Sequence, residues 1–163
     1  MHSDLIRRTL LGLAGAALVL ALPSGCDAPV VLSNAVPRVT WVAVVPVGAT
    51  TARITVWLSD AEGDSVDLAV AWLGSTGAAT AIVEKAGSYG TIGLPTRDGL
   101  YDPNGQAHQI LWDTSDVTGT VRLVMTPDDR PDEAKKGTGD TVETPAFDLG
   151  TGLPEPAPVE VVP

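Results

Sequence analysis

Ala52-Arg53-Ile54-Thr55-Val56-Trp57-Leu58-Ser59 sets Ile54, Val56 and Leu58 on one side of an extended chain and Arg53, Thr55 and Trp57 on the other. Apolar residues at every second position mark a half-buried antiparallel strand, because successive side chains of a strand point to opposite faces. The pattern returns at residues 66–73, where Val66, Leu68, Val70 and Trp72 alternate with Asp67, Ala69 and Ala71. It returns again at 119–126, with Val121, Leu123 and Met125 against Arg122, Val124 and Thr126. Val39 to Val47, Gln106 to Trp112 and Pro145 to Leu149 also read as strands, and Ala78 to Lys85 reads as an edge strand. Clusters of Gly, Pro, Asp and Asn at Asp60–Ser65, Gly87–Gly105 and Pro127–Asp140 separate them. About seven short antiparallel strands with turn signals between them, and almost no helical periodicity, predict an all-β chain folded as a β-sandwich.

Composition narrows the function classes. A chain of 163 residues is the size of one domain. With 44% hydrophobic and 18% charged residues, it has too much to bury and too little charge to be disordered. Twenty acidic residues against ten basic give a net charge of −10, which repels a phosphate backbone and argues against a nucleic-acid partner. A single Cys excludes an internal disulfide and a Cys-rich zinc site.

The first 25 residues have a composition of their own. Arg7 and Arg8 supply positive charge, and Thr9 to Leu22 follows as fourteen uncharged residues. As a helix that run spans roughly 21 Å, short of a bilayer core of roughly 30 Å, so it suits a signal peptide better than a permanent span. It ends in Pro23-Ser24-Gly25-Cys26, with two small residues directly before the only thiol. This ending resembles the lipobox of bacterial lipoproteins. The resemblance implies cleavage between Gly25 and Cys26, lipidation of the Cys26 thiol, and attachment to the cell envelope. Pro23 stands three residues before Cys26, where that family usually has an aliphatic residue; Leu22 is one step further out. Ile6-Arg7-Arg8-Thr9-Leu10-Leu11 resembles a twin-arginine export motif, and two ordinary signal-peptide arginines explain the same residues. Asp27 assigns no membrane leaflet.

Four organisational segments follow: a signal peptide over 1–25, a lipid-anchored tether over 26–37, a domain over 38–149, and a Pro-rich tail over 150–163. Pro154, Pro156, Pro158 and Pro163 predict that the tail is an extended polyproline-II-like segment without packing partners. Cleavage before Cys26 leaves eight basic and nineteen acidic residues, a formal −11.

Within 38–149, Asp60-Ala61-Glu62-Gly63-Asp64-Ser65-Val66 resembles the corner between the second and third strands of immunoglobulin- or fibronectin-III-like modules of bacterial surface proteins. Gly99 to His108 leading into Trp112-Asp113, the run Val121 to Asp129, and Phe147-Asp148-Leu149 match that family in order and spacing. The resemblance implies a single immunoglobulin-like sandwich used as a spacer or binding module, a statement about fold more than about function.

Catalytic signals are sparse. His108 is the only histidine after the signal segment, and it falls in phase with Ile110 and Trp112 on a strand, where a structural role is expected. There is no phosphate-binding Gly-rich loop, no paired His and no paired Cys. Trp72 and Trp112 fall on core positions. Trp57 falls on the opposite face, either packed or as a contact for a sugar or protein. The acids carry more chemistry. Asp60, Glu62 and Asp64 lie between the second and third strands, and Asp128, Asp129, Asp132 and Glu133 lie between the last two. In an immunoglobulin-like sandwich those loops emerge at one end, and the 87–105 connection with Asp98, Asp102 and Asn104 is expected to reach it. Calcium takes six to eight oxygen ligands from such loops; turn formation and solubility explain the same residues without a metal. Calcium is therefore the one candidate cofactor, with Asp60, Glu62, Asp64, Asp128 and Asp129 as candidate ligands.

The sequence thus predicts a lipid-anchored envelope protein without catalytic activity. Its partners are the membrane, through the lipid, and a protein or glycan of unspecified identity. A small envelope hydrolase or accessory subunit, using His108 or paired acids, is the alternative; a pocket enclosing those residues would distinguish it.

Overall fold

Strand β1 (Arg38–Gly48) turns through Ala49 and Thr50 into β2 (Thr51–Asp60), and the hairpin buries the alternating residues of β2 completely. Ile54, Val56 and Leu58 are all 0% exposed, while Arg53, Thr55 and Trp57 on the outer face are half-buried. This computed structural model describes residues 34–98, 104–129 and 137–162.

β2 pairs on its other side with β7 (Gln106–Asp113) over eight residues, from Thr51↔Asp113 to Leu58↔Gln106. β3 (Asp67–Leu73) pairs antiparallel with β8 (Thr120–Asp128) to found the second sheet. Short strands complete both. β4 (Ala79–Ala81) adds to β3, and β5 (Val83–Glu84) adds to β7. β6 (Arg97–Asp98) runs parallel to the end of β2. β9 (Val142–Glu143) and β10 (Phe147–Asp148) add to β8. Finally β11 (Leu153–Pro158) adds to β1, and β12 (Glu160–Val161) to β9. The sheet orders are β11-β1-β2-β7-β5 and β12-β9-β8-β3-β4.

The two sheets close over one core, in which Val42, Ile54, Val56, Leu58, Ile110 and Trp112 of the first meet Leu68, Val70, Val121, Leu123 and Met125 of the second. The described residues contain no helix. The all-β sandwich expected from the alternating segments is the observed fold.

Two local expectations differ. Ala78 to Lys85 is not one edge strand: β4 belongs to one sheet and β5 to the other, with Ile82 between them donating its N–H to Val70 O at 3.1 Å. The Pro-rich segment after residue 149 is not an unpartnered tail. Leu153–Pro158 pairs with β1, and Leu153 and Val159 pack against the core. Proline lacks an N–H, so it suits an edge strand whose donors on one side are not needed. Along a strand, alternate residues present their N–H to the same edge, so prolines at 154, 156 and 158 remove donors from one edge only. The turn before β11 requires Gly152: its φ is +70°, and a Cβ there would collide with the Val44 carbonyl.

Candidate functional site: an acidic pole

β2 delivers Asp60 to the end of the sandwich, and the chain then turns through Gly63 at φ +74°. Asp60 is 2% exposed. Its Oδ1 accepts the N–H groups of Glu62 at 2.9 Å and Asp64 at 3.1 Å, the local turn for which Asp is suited. Those two bonds fix the carboxylate. Its Oδ2 is buried and has no hydrogen-bond partner.

β8 delivers Asp128 and Asp129 to the same end. One carboxylate oxygen from each of Asp60, Asp64 and Asp129 falls within 4.8 Å of the others. Asp64 is exposed and Asp129 is partly buried, so the group opens to solvent on one side. Carboxylates this close repel by between about 1 and about 4 kcal/mol per pair, as the surroundings change from water-like to those near a protein surface.

The other two candidate ligands point elsewhere. Glu62 accepts the Ala35 N–H through Oε1 at 3.1 Å and Oε2 at 3.3 Å. Asp128 Oδ2 accepts the Thr138 hydroxyl at 2.9 Å. Asp129 Oδ2 also accepts from Asn34 Nδ2 at 2.8 Å. The incoming segment thus docks on the acidic pole, and Gly139 closes over it: a Cβ at Gly139 would collide with the Pro37 carbonyl. Sequence reasoning did not assign Asn34 and Ala35 to this pole, and no pattern in their neighbourhood signals it. The 87–105 connection reaches the same end, with Asp98 in register beside Asp60. Asp102, Asp132 and Glu133 lie outside the described residues, as do Arg7, Arg8, Gly25 and Cys26.

His108 lies apart from the acids. It is 8% exposed, and its Nε2–H donates to Pro95 O at 2.8 Å. Burial holds its imidazolium below the ordinary value of 6.5, against the opposing effect of that hydrogen bond. A concave surface of about 480 Å³ includes His108, together with Gln106, Gln109, Tyr89 and Ile92, and among the described residues no carboxylate lines it. Tyr89 is 83% and Ile92 79% exposed. Of the tryptophans, Trp112 is fully buried and Trp72 is partly buried against the core. Trp57 is half-buried on the outer face opposite Trp41 of β1. Compared with protein-family models, curated proteins and solved structures, the chain matches none.

Proposed function

We propose that the protein is exported and held in the bacterial cell envelope by lipid on Cys26, where one immunoglobulin-like sandwich serves a structural or binding role without catalysis. The observation that carries the reading is the uncharged run Thr9–Leu22 followed by Ser24-Gly25 and the only thiol of the chain. A thiolate is the nucleophile a lipid thioether needs, and small residues before it fit a signal peptidase. With a formal −11 after cleavage, the domain would be repelled by an anionic bilayer, so retention there requires the lipid.

The strand order supports the immunoglobulin-like assignment. β1-β2-β7-β5 reads as strands A, B, E and D of one sheet, and β3-β8-β9 as C, F and G of the other. A binding role is supported by the exposed Tyr89 and Ile92 in a concavity of mixed polar and apolar lining, where an aromatic face and two glutamines suit a protein or glycan. His108 is bonded to a backbone carbonyl and depressed in basicity, and among the described residues no carboxylate lines that concavity to orient it as a general base.

Fractionation of cells tests the proposal. The wild type should stay in the membrane pellet through a high-salt wash and enter the detergent phase. Cys26→Ser keeps the size of the side chain but removes the thiol, and it should leave the protein unprocessed or released. Retention of Cys26→Ser in processed, detergent-partitioning form would overturn the lipid anchor.

A further inference from the structure

We propose that Asp60, Asp64 and Asp129 form a calcium site that fastens the incoming segment, Asn34 to Pro37, to the pole of the sandwich. Three acids alone would not make a site. The deciding feature is Asp60: a carboxylate 2% exposed, locked through Oδ1 by two backbone N–H groups, with Oδ2 buried and without a hydrogen bond. A buried anionic oxygen with no donor is costly and uncommon, and a cation placed among the three carboxylates would satisfy it.

Three carboxylate donors carried on turns at the end of the sandwich suit calcium, which takes oxygen ligands in flexible geometry. Oxygen atoms across a calcium shell lie up to about 5 Å apart, because Ca–O distances are about 2.3–2.6 Å, whereas across a magnesium octahedron they reach only about 4.2 Å. The three oxygens all lie within 4.8 Å of one another, inside the span of a calcium shell. Exposed Asp64 gives access from solvent, and water and neighbouring backbone oxygens would complete the shell. Calcium sites on exported modules bind at about 10⁻⁴–10⁻³ M.

The consequence follows from Asp129. The carboxylate offered to the ion is the one that accepts Asn34 Nδ2, and the turn held by Asp60 carries Glu62, which accepts the Ala35 N–H. Calcium would order β2's corner and Asp129 together, and so hold Asn34 and Ala35 against the domain. The proposal does not depend on lipid at Cys26.

The test uses the full chain in detergent, stripped with chelator and titrated with calcium chloride or magnesium chloride. Isothermal titration should show one calcium per chain. Millimolar calcium should raise the melting temperature by several degrees, since a ligand that binds only the folded state stabilises it. It should also slow amide exchange at Ala35 at least several-fold. Asp64→Asn, an exposed change that leaves the fold intact, should weaken calcium binding at least tenfold. Asp128→Asn, outside the triad, should leave it unchanged. No calcium binding at 10 mM, an equal response to magnesium, or equal loss in both variants would overturn the site. Calcium binding without slower exchange at Ala35 would overturn its role in fastening the segment.

Discussion

Thr144→Val should destabilise the domain although it changes one atom and adds apolar surface. β9 ends at Glu143, and the next residue precedes Pro145, so the ladder beside β8 is about to stop. Thr144 extends it by one residue in a mixed form. Its backbone N–H donates to Leu123 O at 3.0 Å, and its side-chain Oγ1 accepts the Leu123 N–H at 3.0 Å. Leu123 is 0% exposed and Thr144 3% exposed, so water cannot replace the hydroxyl. With both residues closed to water, valine would orphan the Leu123 N–H at the upper part of the usual penalty, about 2–3 kcal/mol. Burying a methyl in place of the hydroxyl offsets about 0.8 kcal/mol of that. The net expected loss is about 1–2 kcal/mol. At about 4 °C per kcal/mol for a domain of this size, the melting temperature should fall by about 4–8 °C. Thr144→Ser keeps the oxygen and should cost less than Thr144→Val, although it removes a methyl. Urea denaturation of both variants, with amide exchange read at Leu123, gives the comparison. A Thr144→Val domain as stable as wild type, or with undiminished protection at Leu123, would refute the assigned bond.

Two further outcomes follow from the fold. Gly152→Val, incompatible with φ +70° and with the nearby Val44 carbonyl, should detach β11, expose Leu153 and Val159, and lower stability by about 2–3 kcal/mol; an unchanged urea midpoint would return residues 153–158 to the status of a loose tail. His108 is protonated less readily in the fold than at its ordinary 6.5, so the unfolded chain takes the proton first as pH falls. Stability from the neutral ring is therefore complete above about pH 7 and lost as pH drops from 6.5 toward the lower folded value. His108→Gln should flatten the change in urea midpoint between pH 7 and pH 5.5, and an equal slope in both proteins would contradict it.

The sandwich was legible because its central strands alternate strictly. Val121, Leu123 and Met125 are 1%, 0% and 0% exposed, as period-two burial requires. The pairing of residues 153–158 was illegible for a physical reason. Polyproline II and an edge strand occupy the same extended region of backbone space, and only the partner, here β1, distinguishes them. Ala78 to Lys85 offers small and polar residues on both faces, so nothing local announces the switch of sheet at Ile82. The acidic pole was half legible. Strand direction brings the two loops to one end, but turn geometry decides that Asp64 joins Asp60 and Asp129 while Glu62 and Asp128 bond to Ala35 and Thr138. The docking of Asn34 is a long-range contact between irregular segments, which no periodicity encodes.

The most direct measurement is the mass of the N-terminal peptide of the protein isolated from membranes. Cys26 should be the first residue, and its sulfur should carry a diacylglyceryl thioether, with a mass set by the lipid rather than by the peptide alone. One acyl chain would hold the domain only marginally at about 0.8 kcal/mol per buried CH₂, whereas two or more anchor it stably. An unmodified Cys26, or a mature N-terminus at any other residue, would contradict the anchor.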